Sequence, residues 1–146
     1  MEEETLKHIH QVTINISKFI QHLLIRANEH DSSKLKDVEV EIFRCFTPLL
    51  KESIYGSDQY KNMLIQMKSA LDHHYSNNRH HPEFFDSDIG KMNLIDIVEM
   101  FCDWVAAVKR HDNGNIYDSI EINSKRFKMS NQLKSIFINT VLYLKE

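Results

Sequence analysis

The chain has 146 residues, of which 42% are apolar and 27% charged, and its formal net charge is -3. That length suits one domain with a buried core, and the mild acidity argues against a nucleic-acid coat or a protein that binds anionic membranes. No apolar run approaches the ~20 residues of a membrane span, and the acidic start MEEETLK does not resemble a signal peptide. We therefore expect a cytoplasmic protein without a membrane or nucleic-acid partner.

The composition also predicts the fold class. Only 3 glycines and 2 prolines occur, which leaves little turn chemistry for a sandwich or a barrel and favours long helices. We predict an all-α fold, a single helical domain over residues 1–146 built as a bundle of about five to seven helices.

The first predicted helix runs from about Glu3 to Ala27, with apolar residues recurring at steps of three and four along a face that we expect to be buried. At about 100° per residue, the same face continues to His30 and Asp31. In one interpretation the helix persists and this pair enters the core, where a metal would be an efficient partner. In the other, the helix ends and Asp31 or Ser32 caps the next one.

A second helix is predicted from Ser33 to about Leu50, with Glu39 on its solvated face and Cys45 directed inward. Cys45 and Cys102 are two isolated cysteines, which we interpret as buried, reduced thiols.

A third helix is predicted to follow a cap at Ser57, and its inward-facing series continues to His74. The segment NNRHHPEFF must leave the helix, because Pro82 disfavours helical backbone at His81. Such a loop can fold His80 or His81 over a metal that His74 faces.

The next predicted helix, Lys91 to about His111, is apolar nearly all round, as expected of the central helix of a bundle. Three carboxylates and an arginine fall within about a 60° sector beside the aromatic Trp104. These four residues are Asp96, Glu99, Asp103 and Arg110. The sector either lines a cavity or is simply the solvent-exposed face of the helix. The chain then predicts a turn at HDNGN, a helix from about Ile116 to Phe127, and a last helix capped by Ser130.

These segments together supply a set of candidate metal ligands. The set is His30, Asp31, His74, His80, His81 and Asp103. Imidazole and carboxylate ligands of mixed hardness suit Mn, Fe, Co, Ni or Zn better than Ca, and they leave Mg open.

The order of these residues, a His-Asp doublet, then histidines, then a helical Asp, resembles the HD-domain superfamily of metal-dependent phosphohydrolases. The runs HDSSKL, NRHHPEFF and LIDIVEMFCDW look like a small phage and bacterial group within or beside that superfamily, and the resemblance covers roughly residues 22–110. It implies one or two divalent metals and hydrolysis of a small phosphoester, often a nucleotide.

The resemblance also suggests roles for further residues. Catalytic roles in charge neutralisation and water activation would fall to Lys34, Asp96 and Glu99. Substrate binding would fall to Arg79, Trp104 and Arg110.

The chain departs from the superfamily in one respect. Members of that superfamily have a first ligand histidine on a separate helix, whereas here His8, His10 and His22 all precede the doublet on its own helix. Either the site is a variant built with the later histidines, or the helix breaks near Arg26.

Two other functions compete with this one. An all-helical, Mg-dependent nucleoside triphosphate pyrophosphohydrolase would use the carboxylates of the central helix and leave the histidines unused. A non-catalytic, phage-type factor would use the pocket to bind a nucleotide or a host protein. A homo-oligomer is compatible with each of the three.

Overall fold

The structure, a computed structural model, describes residues 1–54, 57–110 and 114–146. Residues 111–113, the first three of the predicted turn HDNGN, lie outside these ranges, as do residues 55–56. Within them the chain forms seven α-helices and three short 3-10 turns and no strand, which confirms the all-α prediction. The helices are α1 Glu2–Glu29, α2 Val40–Glu52, α3 Asp58–Gln66, α4 Lys68–Asn77, α5 Leu94–Val108, α6 Ile116–Arg126 and α7 Asn131–Leu144. The 3-10 turns are Ser32–Leu35, Pro82–Phe85 and Ile89–Lys91.

Hydrogen-bonding side chains fix where several helices begin. The Ser57 hydroxyl accepts a hydrogen bond from the Tyr60 amide, and Ser130 accepts one from Leu133, so both predicted caps are present. Asn93 and Asp96 form a reciprocal capping box at the start of α5. These caps satisfy amide groups that the first turn of each helix leaves without a partner.

The contacts of the chain group its residues into two compact units. One unit comprises Met1–Glu29 and Asn93–Glu146, and the other comprises His30–Met92. The first therefore contains α1, α5, α6 and α7, and the second contains α2, α3, α4 and the 3-10 turns.

In the first unit, α5 lies between α1 and α6, and α7 packs on α6. Its core is aromatic: Phe137 stacks on Phe101 with ring centroids 5.2 Å apart and meets the edge of Trp104 at 5.7 Å. Ile120 and Val141 are completely buried beside them. The central position predicted for α5 thus holds within this unit.

An arginine joins α1 to α5 in the same unit. Arg26 places one guanidinium nitrogen 2.9 Å from Asp96 Oδ1 and the other 2.6 Å from Glu99 Oε2. Asp96 is fully buried and Glu99 nearly so. Because a buried carboxylate is costly without a cationic partner, this pairing explains how α5 carries two acidic groups inside the unit.

The buried interior of the second unit is unusually polar. Met63, Met67 and Ala70 form its apolar part, along one face of α3 and α4. The same face continues to His74, which is 2% exposed, so the predicted inward direction of this histidine is correct. Further buried polar residues surround it: Ser33, Glu39, Asn78 and His80.

Several predictions of burial are wrong. Cys45 and Cys102 are both exposed, and no residue of α1 is buried. Glu39, predicted on a solvated face, is 0% exposed because the chain forms a 3-10 turn and restarts at Val40, which resets the helical phase. Among the described helices, none combines the length and the hydropathy that crossing a membrane requires.

Candidate metal centre

Two segments of the second unit supply the candidate ligands. Asp31 lies between α1 and the first 3-10 turn, with φ 55°, a left-handed conformation that aspartate tolerates better than most residues. Its side chain makes no cap hydrogen bond to that turn. The helix therefore ends before the doublet, as the second interpretation of the sequence had it, yet Asp31 does not cap the turn that follows.

The histidines come from the end of α4 and the loop that follows it. The helix ends at Asn77, and Asn78 takes an extended conformation and bonds back to the His74 carbonyl through its amide at 2.7 Å. His81 is extended, as the residue before Pro82 must be. The loop thereby returns His80 and His81 toward His74.

The ligand atoms of four residues converge as a result. One donor atom each from Asp31, His74, His80 and His81 lies within 4.8 Å of all the others. The Nε2 atoms of His74 and His81 are 2.9 Å apart, and Asp31 Oδ1 is 3.2 Å from His74 Nε2 and 3.4 Å from His80 Nε2. Ligands at about 2.1 Å from a cation lie about 3.0 Å apart in octahedral and about 3.4 Å apart in tetrahedral geometry. The observed separations fit that range.

The contacts of His74 Nδ1 bear on which ring nitrogen of His74 carries the hydrogen. Nδ1 lies 2.9 Å from Glu39 Oε2, an acceptor, and 3.0 Å from the Asn78 side-chain nitrogen, a donor, and in the tautomer that donates to Glu39 it is Nδ1 that carries the hydrogen. In the neutral form of this tautomer, Nε2 carries a lone pair that faces Asp31 Oδ1, and Asp31 Oδ1 is itself an acceptor. A proton or a metal cation must lie between two acceptors at this distance.

The convergence of four ligand atoms favours a metal cation over a proton. A single proton can bridge only one pair of these atoms, whereas one metal cation can bind all four ligand atoms at once. Asp31 Oδ1 is buried and accepts no hydrogen bond of ordinary geometry from the described residues. An orphaned buried carboxylate oxygen costs free energy, and coordination to a cation would remove that cost.

A carboxylate behind the histidines holds the arrangement in place. Glu39 Oε1 accepts a hydrogen bond from His73 Nδ1 at 2.6 Å, while its Oε2 serves His74 and Ser33. Asn78 in turn donates to the Ser33 hydroxyl at 2.8 Å. Carboxylates that receive the second nitrogen of a metal-binding histidine are a regular feature of metal sites.

The charge of Asp31 is strongly favoured. Burial acts to raise the pKa of Asp31, but hydrogen bonds from His74 and His80, in the state in which their rings direct a hydrogen at it, and the nearby Lys34 ammonium outweigh that effect and hold the pKa well below its ordinary value. Lys34 Nζ lies 2.6 Å from Asp31 Oδ2 and over the Phe43 ring. Asp31 is therefore an anion, the form that a metal ligand requires.

Three further predicted residues lie in this unit. The His30 ring lies 4.4 Å from that of His80, and its Nε2 is 3.7 Å from Asp31 Oδ2, so it borders the group of four. Lys34 is paired with Asp31, as described above. The Arg79 guanidinium lies over Phe84 and Phe85, 5.2 and 4.8 Å from their ring centroids, which holds its position.

The other predicted site residues belong to the first unit. Asp96 and Glu99 are held by Arg26, and Trp104 is packed into the aromatic core. Asp103 is partly buried on α5, and Arg110 is exposed beyond its end. The structure thus gives the first three residues a packing role, and the functional roles of all five stay predictions.

Glu39, Ser33 and Asn78 are the residues that sequence reasoning missed. Two adjacent histidines that both need an acceptor for Nδ1 are a weak signal that a buried carboxylate exists. Nothing in the sequence says that Glu39 supplies it.

Comparison with known proteins gives a family. No curated protein and no solved structure matches the chain significantly. A family model does match, over residues 1–143, and its description is Family of unknown function (DUF5662). Because the match covers nearly the whole chain, the protein belongs to the DUF5662 family.

Proposed function

We propose that this protein is a metal-dependent phosphohydrolase that acts on a nucleotide or a related small phosphoester, as a member of the HD-domain superfamily. The observation that supports the metal is the convergence of three imidazole nitrogens on an orphaned, ionised Asp31 oxygen. Mn, Fe, Co, Ni or Zn suits this donor set best, and Mg is the weaker candidate. A cytoplasmic location is part of the same proposal.

A divalent cation bound there would supply Lewis-acid assistance and a water of lowered pKa. The protein supplies the rest. Glu39 keeps the Nε2 lone pair of His74 directed at the site. Lys34 neutralises the second oxygen of Asp31, so that Oδ1 is left to face the histidines.

Cationic side chains of the same unit support a phosphorylated substrate. Arg79 is half-buried and its guanidinium lies over two aromatic rings, and a guanidinium is the side chain best suited to bidentate contact with a phosphate. In this proposal Arg79 binds the phosphoryl group as negative charge develops on it. The roles inferred from the sequence alone, Asp103 as a metal ligand, Arg110 and Trp104 as substrate contacts and Asp96 or Glu99 as the group that orients the water, stay predictions.

The test is a screen of nucleotides and generic phosphoesters with Mn, Fe, Co, Ni, Zn and Mg, together with elemental analysis of the purified protein. We expect metal-dependent release of phosphate that disappears in His74→Ala and persists in His10→Ala, since His10 lies exposed on α1. Full activity with Mg and no effect of His74→Ala would instead favour an all-helical pyrophosphohydrolase. Bound metal and bound nucleotide without turnover would favour a non-catalytic binding factor.

A further inference from the structure

Most of the apolar side of α1 is exposed, although the helix contacts α5 near its C-terminal end, where Arg26 binds Asp96. Seven large apolar residues of this helix fall within a sector of about 140° and point to one side. We call them the α1 stripe: Leu6, Ile9, Val12, Ile16, Phe19, Ile20 and Leu24. Their exposed fractions range from 40% at Val12 to 59% at Leu6 and Leu24. The polar residues Lys7, Gln11 and Lys18 lie on the opposite side.

The spacing within the stripe is that of a helix-pairing seam. Ile9, Val12, Ile16 and Phe19 of the stripe follow one another at alternating steps of three and four residues, and the half-buried Leu23 continues the series. This is the heptad spacing at which two helices interlock their side chains. A helix that merely covered a core of its own chain would have buried residues, and α1 has none.

The exposed area matches what a pair of copies needs. With about half of each side chain exposed, the α1 stripe offers roughly 650 Å² of apolar surface, more than the largest patch of most monomers. Two stripes placed face to face would bury at most about 1,300 Å², which reaches the lower end of the range of specific, stable interfaces. An isologous contact also sets apolar surface against apolar surface, because the stripe contains no charged residue.

We propose that α1 is a homodimerisation helix, and that the α1 stripe packs on the same stripe of a second copy of this chain. This inference is independent of the proposed hydrolase function, since all residues of the stripe lie outside the group of four candidate ligands.

The test is sedimentation velocity of the full chain from about 1 to 100 µM, a range that covers ordinary dimer affinities. The perturbing variant is Ile16→Glu, in the middle of the stripe. The matched control is Gln11→Glu, which adds the same charge on the other side of the helix. Far-UV circular dichroism checks that both variants keep their helix content, which we expect because Ile16 is 55% exposed.

We expect a wild-type dimer and a dissociation constant at least about 100-fold higher for Ile16→Glu, with Gln11→Glu close to wild type. A wild-type chain that stays monomeric over the whole concentration range would overturn the proposal. The stripe would then be expected to bind a different protein. Equal association of Ile16→Glu and wild type would overturn it too. So would an equal loss in both variants, because that would report net charge rather than the seam.

Discussion

The carboxylate behind the histidines gives the sharpest test of the metal centre. Glu39 is completely buried and accepts hydrogen bonds from His73 and His74 through different oxygens. The variant Glu39→Gln keeps the shape of the side chain but replaces one acceptor oxygen with an NH₂ group. One of the two histidines must then face a donor with its own N–H, or change tautomer and direct its hydrogen into the site.

The expected loss follows from which histidine is affected. His73 is 34% exposed and can turn to water, whereas His74 is buried and cannot. If the amide oxygen of the Glu39→Gln side chain serves His74, this histidine exchanges a charged acceptor for a neutral one. We then expect metal affinity to fall about tenfold, or about 1.4 kcal/mol. Glu39→Ala removes both acceptors, and we expect a loss of about 100-fold, the upper end for residues behind a metal ligand.

The assay is competition between the protein and a chromophoric chelator for Co²⁺ or Zn²⁺ at neutral pH. Glu41→Gln is the matched control, because Glu41 lies on the same helix but is exposed and pairs only with Arg44 at 2.8 Å. Thermal unfolding of the metal-free proteins separates a loss of affinity from a loss of fold. A folded Glu39→Gln that binds within about twofold of wild type would refute the role of Glu39. An equal loss in Glu41→Gln would refute it as well.

The remaining predictions concern the metal, the reaction and the stability of the first unit. Asp31→Ala should remove bound metal, as measured by elemental analysis, while His10→Ala should leave it unchanged. Asp103→Ala should abolish metal-dependent phosphate release and leave the helix content measured by circular dichroism intact; retained turnover would contradict the role inferred for this residue. Arg26→Met should lower the free energy of unfolding in urea by about 3–5 kcal/mol, because it leaves the buried Asp96 carboxylate without its cation. A loss below about 1 kcal/mol would show that this pair is not a structural link.

The helices could be predicted well where local chemistry decides them. Ser57 and Ser130 are hydroxyl residues directly before helical patterns, and each caps its helix as expected. The phase of the second predicted helix was wrong because periodicity assumes one continuous turn angle. The 3-10 turn Ser32–Leu35 and the restart at Val40 break that assumption. Periodicity also shows that α1 has an apolar side but not what covers it, and the expectation that this side is buried in the chain was wrong.

The candidate site also contains some residues that the sequence could place and others that it could not. His74 could be placed because it continues the helical face that carries Met67, and the direction of His81 follows from the proline after it. The position of Glu39 depends on a contact across 35 positions of the chain, to His74, which no local pattern encodes. The sequence could therefore predict the imidazoles that face the site, but not the group that orients them.

The contrast between these two layers of groups is the strongest physical argument for a metal. Behind the site, Ser33, Glu39 and Asn78 form hydrogen bonds of ordinary length and leave His74 Nδ1 well satisfied. In front, His74 Nε2 lies 2.9 Å from His81 Nε2, within hydrogen-bond distance, and 3.2 Å from Asp31 Oδ1, an oxygen that accepts no hydrogen bond of ordinary geometry from the described residues. A polar core selected only for stability would also give Asp31 Oδ1 a hydrogen-bond donor of ordinary geometry, because each orphaned buried group costs about 1–3 kcal/mol. The ordered hydrogen bonds behind His74 and the convergence of four ligand atoms in front of it support the proposal that a cation binds there.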